Sequence, residues 1–146
     1  MKIPRITKDE YYLKIALTVS LRSTCLKRQY GCVIVNNDEI IATGYNGSPR
    51  NEINCCDIGN CKRLNVPNNS GQYDDCHSVH AEQNAMLSAA RRDMIGATMY
   101  LVGFEYINTT QKIGIHNAEP CPICKRMAMN AGIKRIVNEE GEICLQ

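Results

Sequence analysis

The sequence predicts an α/β domain built on a mixed β-sheet with helices packed on its faces. Three observations carry this: an opening hairpin of β-branched runs, helical and strand segments that alternate after it, and a length that suits one compact unit. A chain of 146 residues can bury about 70% of the surface its unfolded form exposes. Residues 1–146 are therefore expected to form a single domain, and no internal repeat or boundary interrupts them.

The elements follow in order. Thr7-Lys8-Asp9-Glu10 has the form of a capping box, and Leu13, Ala16, Leu17 and Leu21 recur at helical spacing behind it. This predicts a helix from about residue 8 to about residue 24. Gly31–Val35 is a β-branched run, Asn36-Asn37-Asp38 is turn chemistry, and Ile40–Thr43 resumes the pattern, giving the hairpin. Residues 45–79 are rich in Asn, Gly, Pro, Asp and Cys and show no period, so a long loop is expected that something must tie down. His80–Arg92 reads as a helix with Ala81, Ala85, Met86 and Ala89 inward. Thr98–Val102 reads as a strand and 103–119 as a second long loop. Cys121–Asn130 is helical and stops before Gly132, as helices commonly do. Ile133–Val137 is a strand, and Ile143–Leu145 a short last one.

Composition narrows the function. Apolar residues make up 44% and charged residues 22%, within the ordinary globular range. The net charge is +2, and the basic residues fall in scattered pairs: Lys27-Arg28, Lys62-Arg63, Arg91-Arg92, Lys125-Arg126 and Lys134-Arg135. A nucleic-acid binder would show a contiguous basic stripe and exposed aromatics, yet there is one Phe and no Trp. Small anionic substrates stay open. No apolar run has the length of a membrane span, and MKIPRITKDE lacks the apolar core of a signal peptide, so a cytosolic protein is expected. Reducing compartments keep thiols free, and the nine cysteines then point to metal ligation before disulfides.

Two motifs carry chemistry: His80-Ala81-Glu82 and Pro120-Cys121-Pro122-Ile123-Cys124. Cys121 and Cys124 sit three apart, so on a first helical turn both sulfurs face one way. Pro122 suits that turn, where a missing N–H costs nothing. A helix N-terminus also favours the thiolates that a metal requires. With His80 they make three ligands, the number a catalytic zinc uses while keeping a fourth position open. Such a zinc acidifies water to a pKa of ~7. Deamination further requires protons on a ring nitrogen and on the departing amine, and Glu82 is placed to move both as general acid and base. Alone, the Cys-x-x-Cys pair would also suit a redox couple or half of a structural zinc site. H-x-E together with P-C-x-x-C is the pattern of zinc nucleobase deaminases.

The resemblance extends beyond these motifs. Arg22–Cys25, Gly31, Gly44-Tyr-Asn-Gly-Ser-Pro49, Asn54-Cys-Cys-Asp57, His80-Ala-Glu-Gln-Asn-Ala85, Gly96–Tyr100 and Ala131–Lys134 resemble the deoxycytidylate (dCMP) deaminases over roughly residues 11–137. The resemblance implies a three-layer α/β/α fold with a mixed five-stranded sheet, and hydrolysis of dCMP to dUMP and ammonia. It places His80, Cys121 and Cys124 on the catalytic zinc and Glu82 on the proton transfers. Asn46 would contact the sugar hydroxyl, and Ala81 would belong with it to the substrate site. Members are usually homo-oligomers, often hexamers, and some respond to dCTP and dTTP through the Gly-Tyr-Asn-Gly region. Some carry a second, structural zinc. Cys25 and Cys55 match two of its ligands, with Cys61 and Cys76 (or His77) the candidates to complete it. As the bland alternative, Cys25 is a small buried apolar residue and the loop cysteines are idle, while Cys32 and Cys144 read as core fillers.

Departures from the family pattern mark what is particular to this chain. Segment 103–119 is about a dozen residues longer than usual, and would be a lid, a specificity loop or an oligomer contact. His77 stands where relatives often have Arg, and Tyr30 and Cys32 replace Val and Ala around Gly31. His116 lies four residues before the Pro-Cys motif and reads as loop surface. Rival readings keep the zinc and change the role: the same chemistry on another nucleoside or nucleotide or on a tRNA adenosine, or a non-catalytic zinc-binding relative.

Overall fold

Helix α1 begins where the capping box places it. In the computed structural model, which describes every residue except Asn69, Gln72, Cys144 and Gln146, α1 spans Lys8–Ser20. The Glu10 amide donates to Thr7 Oγ1 at 3.1 Å, and the Thr7 amide donates to Glu10 Oε2 at 3.0 Å. Strands β1 (Gln29–Asn36) and β2 (Glu39–Tyr45) form the expected hairpin. Asn37 and Asp38 carry φ of 52° and 61° at its two-residue turn, the left-handed pair that a type I′ turn requires. Helix α2 (Cys55–Ile58) and a 3₁₀ turn (Tyr73–Asp75) lie in the long segment that follows. Then come α3 (Ala81–Leu87), α4 (Arg91–Met94), β3 (Thr98–Tyr106), β4 (Lys112–Ile115), α5 (Pro122–Ala131), β5 (Arg135–Asn138) and β6 (Gly141–Ile143).

The sheet runs β2-β1-β3-β5-β6, with β4 paired to the outer part of β3. Among the described residues, only β3 and β5 pair in parallel, as the α5 crossover between them demands; the other pairings are antiparallel. The sheet is mixed, as expected, with six strands instead of five.

Alternation along the strands sorts the core into two layers. Cys32, Ile34, Met99, Leu101 and Ile136 point to one face and pack with Ala85 and Met86 of α3, Met94 of α4 and Ala128 of α5. Val33, Val35, Tyr100, Val102 and Val137 point to the other and pack with Tyr12 and Ala16 of α1. The result is a three-layer α/β/α arrangement. Cys32 is the core filler the sequence suggested; Cys144 lies outside the described residues.

Two close approaches set how deeply the helices sink. A Cβ on Gly31 would lie 2.1 Å from the Ala16 carbonyl oxygen, and one on Gly44 would lie 2.3 Å from the Ala81 carbonyl oxygen. The first contact corrects the sequence reading of α1. Tyr12, Ala16 and Ser20 form its buried stripe, whereas Leu17 and Leu21 are 40% and 52% exposed. Small residues are needed where the helix backbone touches Gly31, and they rotate the leucines outward.

Three further expectations change. The helix expected over 80–92 breaks after Leu87: Ala90 is extended (φ −78°, ψ 140°), and α4 starts afresh. The first helix ends at Ser20, so Cys25 lies in a connecting segment and not at a helix end. Segment 103–119 is not a loop, because β3 continues to Tyr106 and turns back as β4. Asn108 Oδ1 accepts from the amides of Thr110 and Gln111, each at 2.9 Å, and shapes that turn.

Gly44→Ala tests the contact that bears on the His80–Glu82 motif. Its methyl would push α3, which carries the His80–Glu82 motif, off β2. The variant is expected to lose about 1–3 kcal/mol of stability, as overpacked cores do, with chemical denaturation as the measurement.

Candidate active site

Helices α3 and α5 pack side by side on one face of the sheet, and their N-termini carry the two motifs. His80 is the N-cap of α3 and Cys121 the N-cap of α5, with Pro122 in the first turn. The His80 amide donates to Gln83 Oε1 at 2.9 Å, which holds the cap. The Cys124 amide donates to Cys121 Sγ at 3.4 Å, the first-turn contact that presents both sulfurs on one side. Asn138 Nδ2 donates to the Ala118 carbonyl at 3.0 Å and anchors the chain just before the Pro-Cys motif.

These elements bring His80 Nδ1 to 3.3 Å from Cys124 Sγ and 3.6 Å from Cys121 Sγ. Nitrogen at 2.0–2.1 Å and sulfur at ~2.3 Å around a tetrahedral zinc would stand about 3.6–3.8 Å apart, so the three donors fit the ion with little adjustment. Among the described residues, this is the one group of three or more His, Cys, Asp or Glu donors gathered within 4.8 Å. Protonation already divides the thiols. The Cys124 hydrogen bond, with lesser help from His80 and the Cys124 amide, holds Cys121 well below the usual thiol range. The same hydrogen bond, reinforced by burial, pushes Cys124 up. A dication between them would favour the thiolate of both.

Glu82 is 5% exposed and lines the cavity beside His80, Ala81 and Cys121. Burial raises its carboxyl above the ordinary range, partly countered by a backbone hydrogen bond and the His80 charge. A carboxyl so placed holds a proton more readily than one in water, the property proton shuttling needs.

Asn46 lines the same cavity. Its Oδ1 accepts from Ser23 Oγ at 2.7 Å and from the Tyr30 amide at 2.8 Å, while Nδ2 donates to the Arg28 carbonyl at 2.9 Å. The side chain thus clamps the α1–β1 connection to the turn after β2. Ser23 and Tyr30, its partners, were not singled out as site residues because their role depends on this long-range contact.

The remaining candidates fall as follows. Cys25, Cys55, Cys61 and Cys76 all line the cavity but do not converge within 4.8 Å as the first group does. Cys25 Sγ lies 3.0 Å from Ser78 Oγ, and Cys55 Sγ lies 4.0 Å from His77 Nε2. Burial pushes the Cys25 thiol up to about 11. His116 is exposed and pairs with Glu139 at 2.6 Å, away from the metal donors. The sequence reading gave no site role to several cavity residues, Arg63, Tyr73 and Glu119 among them. Arg63 looked like half of one more basic pair, and nothing local announces that its segment folds over the site.

Comparison with known proteins agrees with this geometry. The family model described as the cytidine and deoxycytidylate deaminase zinc-binding region matches residues 6–140, a span that holds the whole His/Cys/Cys cluster. A deoxycytidylate deaminase of Schizosaccharomyces pombe is 38% identical over 130 residues, covering 88% of this chain and 36% of the relative. One from Mycobacterium phage D29 is 34% identical over 135 residues, covering 88% of this chain and 91% of the relative. The chain spans 36% of the length of the two yeast relatives it matches. Among solved structures, apo dCMP deaminase from the cyanophage S-TIM5 superposes with a TM-score of 0.62 at 26% identity, covering 90% of this chain and 83% of that one.

Asn46→Ala tests the clamp. It removes three hydrogen bonds and strands buried partners, so an unfolding free energy lower by at least about 2 kcal/mol is expected. Urea denaturation of the two proteins is the comparison, and unchanged stability would rule the clamp out.

Proposed function

The chain belongs to the cytidine and deoxycytidylate deaminase family, and from that premise we propose that it hydrolyses dCMP to dUMP and ammonia with a zinc ion. The observation that carries the reading is the convergence of His80, Cys121 and Cys124 beside a buried Glu82. His80 Nδ1 and the two sulfurs would hold the ion, which supplies Lewis acidity that brings water within reach of ionisation at neutral pH. Glu82 takes a proton from the attacking water as its oxygen bonds to C4, and passes that proton to N3 of the ring. It then carries the second proton to the amino nitrogen, so that the C4–N bond breaks with ammonia as leaving group. Burial excludes competing water and sets the carboxyl's proton affinity for both transfers. Asn46 and Ala81 border the substrate at the cavity wall.

Glu82→Gln keeps the shape and removes the exchangeable proton. The variant is expected to retain zinc and fold while losing at least about three orders of magnitude in kcat. Ammonia release from deoxycytidine, dCMP, dCTP and CMP by zinc-loaded protein tests the substrate assignment, with dCMP expected to give the highest kcat/KM. A preference for any of the others would redirect the reading within the family.

A second zinc, structural and held by Cys25, Cys55, Cys61 and Cys76, is part of the proposal. What favours it is that four thiols from two separate segments line one cavity, where an ion would draw them together. The Gly47–Val79 bridge, with N···O distances of 2.8 and 3.1 Å, already ties the ends of the 45–79 segment; the zinc would order its middle. Metal analysis should find two zinc ions per chain, falling toward one in Cys55→Ser with catalytic zinc retained. One zinc, unchanged by Cys25→Ser and Cys55→Ser, would remove the second site. The cytosol, which keeps such thiols reduced, is the matching compartment. Leu17, Leu21 and Leu87, exposed by 40%, 52% and 75%, are surface that a homo-oligomer would cover.

A further inference from the structure

A histidine that ligates a metal has to be held at its ring as well as at its backbone. The cap of α3 fixes the His80 backbone: its amide donates to Gln83 Oε1 at 2.9 Å, and its carbonyl accepts from the Asn84 amide at 3.0 Å. The χ2 torsion of histidine joins a tetrahedral carbon to a planar ring and is broad, so the cap leaves the imidazole free to turn. A half-turn would put Cδ2 where Nδ1 faces Cys121 and Cys124, and a carbon cannot ligate. Ligating histidines commonly meet this need through the second ring nitrogen, which donates to a carboxylate, a backbone carbonyl or water. Among the described residues, the side-chain hydrogen-bond contacts of His80 are both at Nδ1, to Cys121 and Cys124.

An aromatic ring meets the imidazole instead. Tyr73 stands edge-on to His80, with centroids 5.6 Å apart and planes at 80°, the T-shaped geometry that aromatic pairs favour. Tyr73 opens the 3₁₀ turn, which closes as the Cys76 amide donates to the Tyr73 carbonyl at 2.9 Å. Arg63 fixes the phenol ring in turn: its Cζ lies 5.3 Å from the ring centre, while its Nη2 donates to the Gly71 carbonyl at 2.9 Å. Arg63 is only 8% exposed, so the ring rests on a side chain that the fold has already immobilised. The Gly47–Val79 bridge anchors the same segment at the residue before His80. Tyr73 also lines the cavity with His80, Glu82 and Cys121. Burial and then the charge of Cys121 push its phenol above the usual range, against a smaller pull from Arg63, so the side chain stays neutral beside the metal donors.

We infer that Tyr73 is a positioning residue for the catalytic zinc, its ring holding the His80 imidazole so that Nδ1 stays directed at the ion. This rests on the zinc deaminase reading and adds to it a residue, outside both motifs, that sets how tightly the metal is held. The ring carries the role and the hydroxyl does not, because no hydrogen bond joins the two side chains and the contact is aromatic.

Competition with a zinc chelator reads the site without turnover, the catalytic ion being the phase of zinc transfer that Cys121→Ser abolishes. Tyr73→Phe keeps the ring and is expected to hold that zinc as tightly as the wild type. Tyr73→Leu fills much of the space without a ring, and its affinity is expected to fall by at least about ten-fold, as when other contacts that orient a ligand are removed. Cobalt(II) in place of zinc supplies a signature that a merely structural role would not move. The visible bands of the site, taken as the difference from Cys121→Ser, should keep their shape in Tyr73→Phe and change in Tyr73→Leu. Unchanged affinity and bands in Tyr73→Leu, or equal losses in both variants, would overturn the inference. If Tyr73→Leu fails to fold, Tyr73→Met takes its place under the same expectations. NMR of the zinc-loaded wild type tests the contact with no variant at all: nuclear Overhauser effects should join the ring protons of His80 and Tyr73, and their absence would equally refute it. Ammonia release by the same preparations judges the deaminase reading separately. A protein whose zinc depends on the Tyr73 ring but which deaminates nothing fails only there, and one that deaminates dCMP with its zinc indifferent to Tyr73→Leu fails only here.

Discussion

The site depends on two helix N-termini arriving within about one zinc-ligand separation of each other. Side-chain adjustment cannot supply that precision, because a cap residue has little freedom once its backbone is placed. It comes from the depth at which α3 sits on β2. Gly44 leaves room for the Ala81 carbonyl at a distance where any Cβ would clash, and the small buried residues Ala81, Ala85 and Ala128 let α3 and α5 lie close on the same face. His80, Cys121 and Cys124 then meet through packing that is already settled by the core.

The cavity is lined by groups of both signs. At the metal end, burial raises the Glu82 carboxyl and the hydrogen bond between the two thiols favours a thiolate at Cys121. Lys27, Arg28 and Arg63 line the same cavity. Glu105, on the part of β3 that pairs with β4, tempers that positive charge through Arg28. The β3–β4 hairpin thereby reaches the cavity lining electrostatically.

What the sequence made legible was local. The capping box of α1, the Asn37-Asp38 turn and the spacing of Cys121 and Cys124 each act within a few residues, and each appears where the pattern placed it. What it hid depends on contacts distant in the chain. Leu17 and Leu21 have helical periodicity, yet the contact of Ala16 with Gly31 turns them to solvent. Strand β4 has only Ile113 and Ile115 to suggest it, interrupted by a glycine, and it exists because β3 offers an edge. Arg63 lacked any periodic context; its burial follows from where Tyr73 and Gly71 lie.

This division has a physical origin. His80, Cys121 and Cys124 sit on helix N-termini, where backbone amides and short spacing fix them and leave a readable motif in the sequence. Arg63 and Tyr73, which line the cavity, sit on the 45–79 segment, joined to the scaffold by a two-residue bridge and a handful of side-chain bonds. Substitution in most of that segment leaves the sheet untouched. Tyr73 limits that freedom, because its ring touches His80 on one side and Arg63 on the other. A displacement of the segment large enough to release Arg63 would also withdraw the aromatic wall from His80, so the packing of the irregular segment and that of the His/Cys/Cys cluster are coupled.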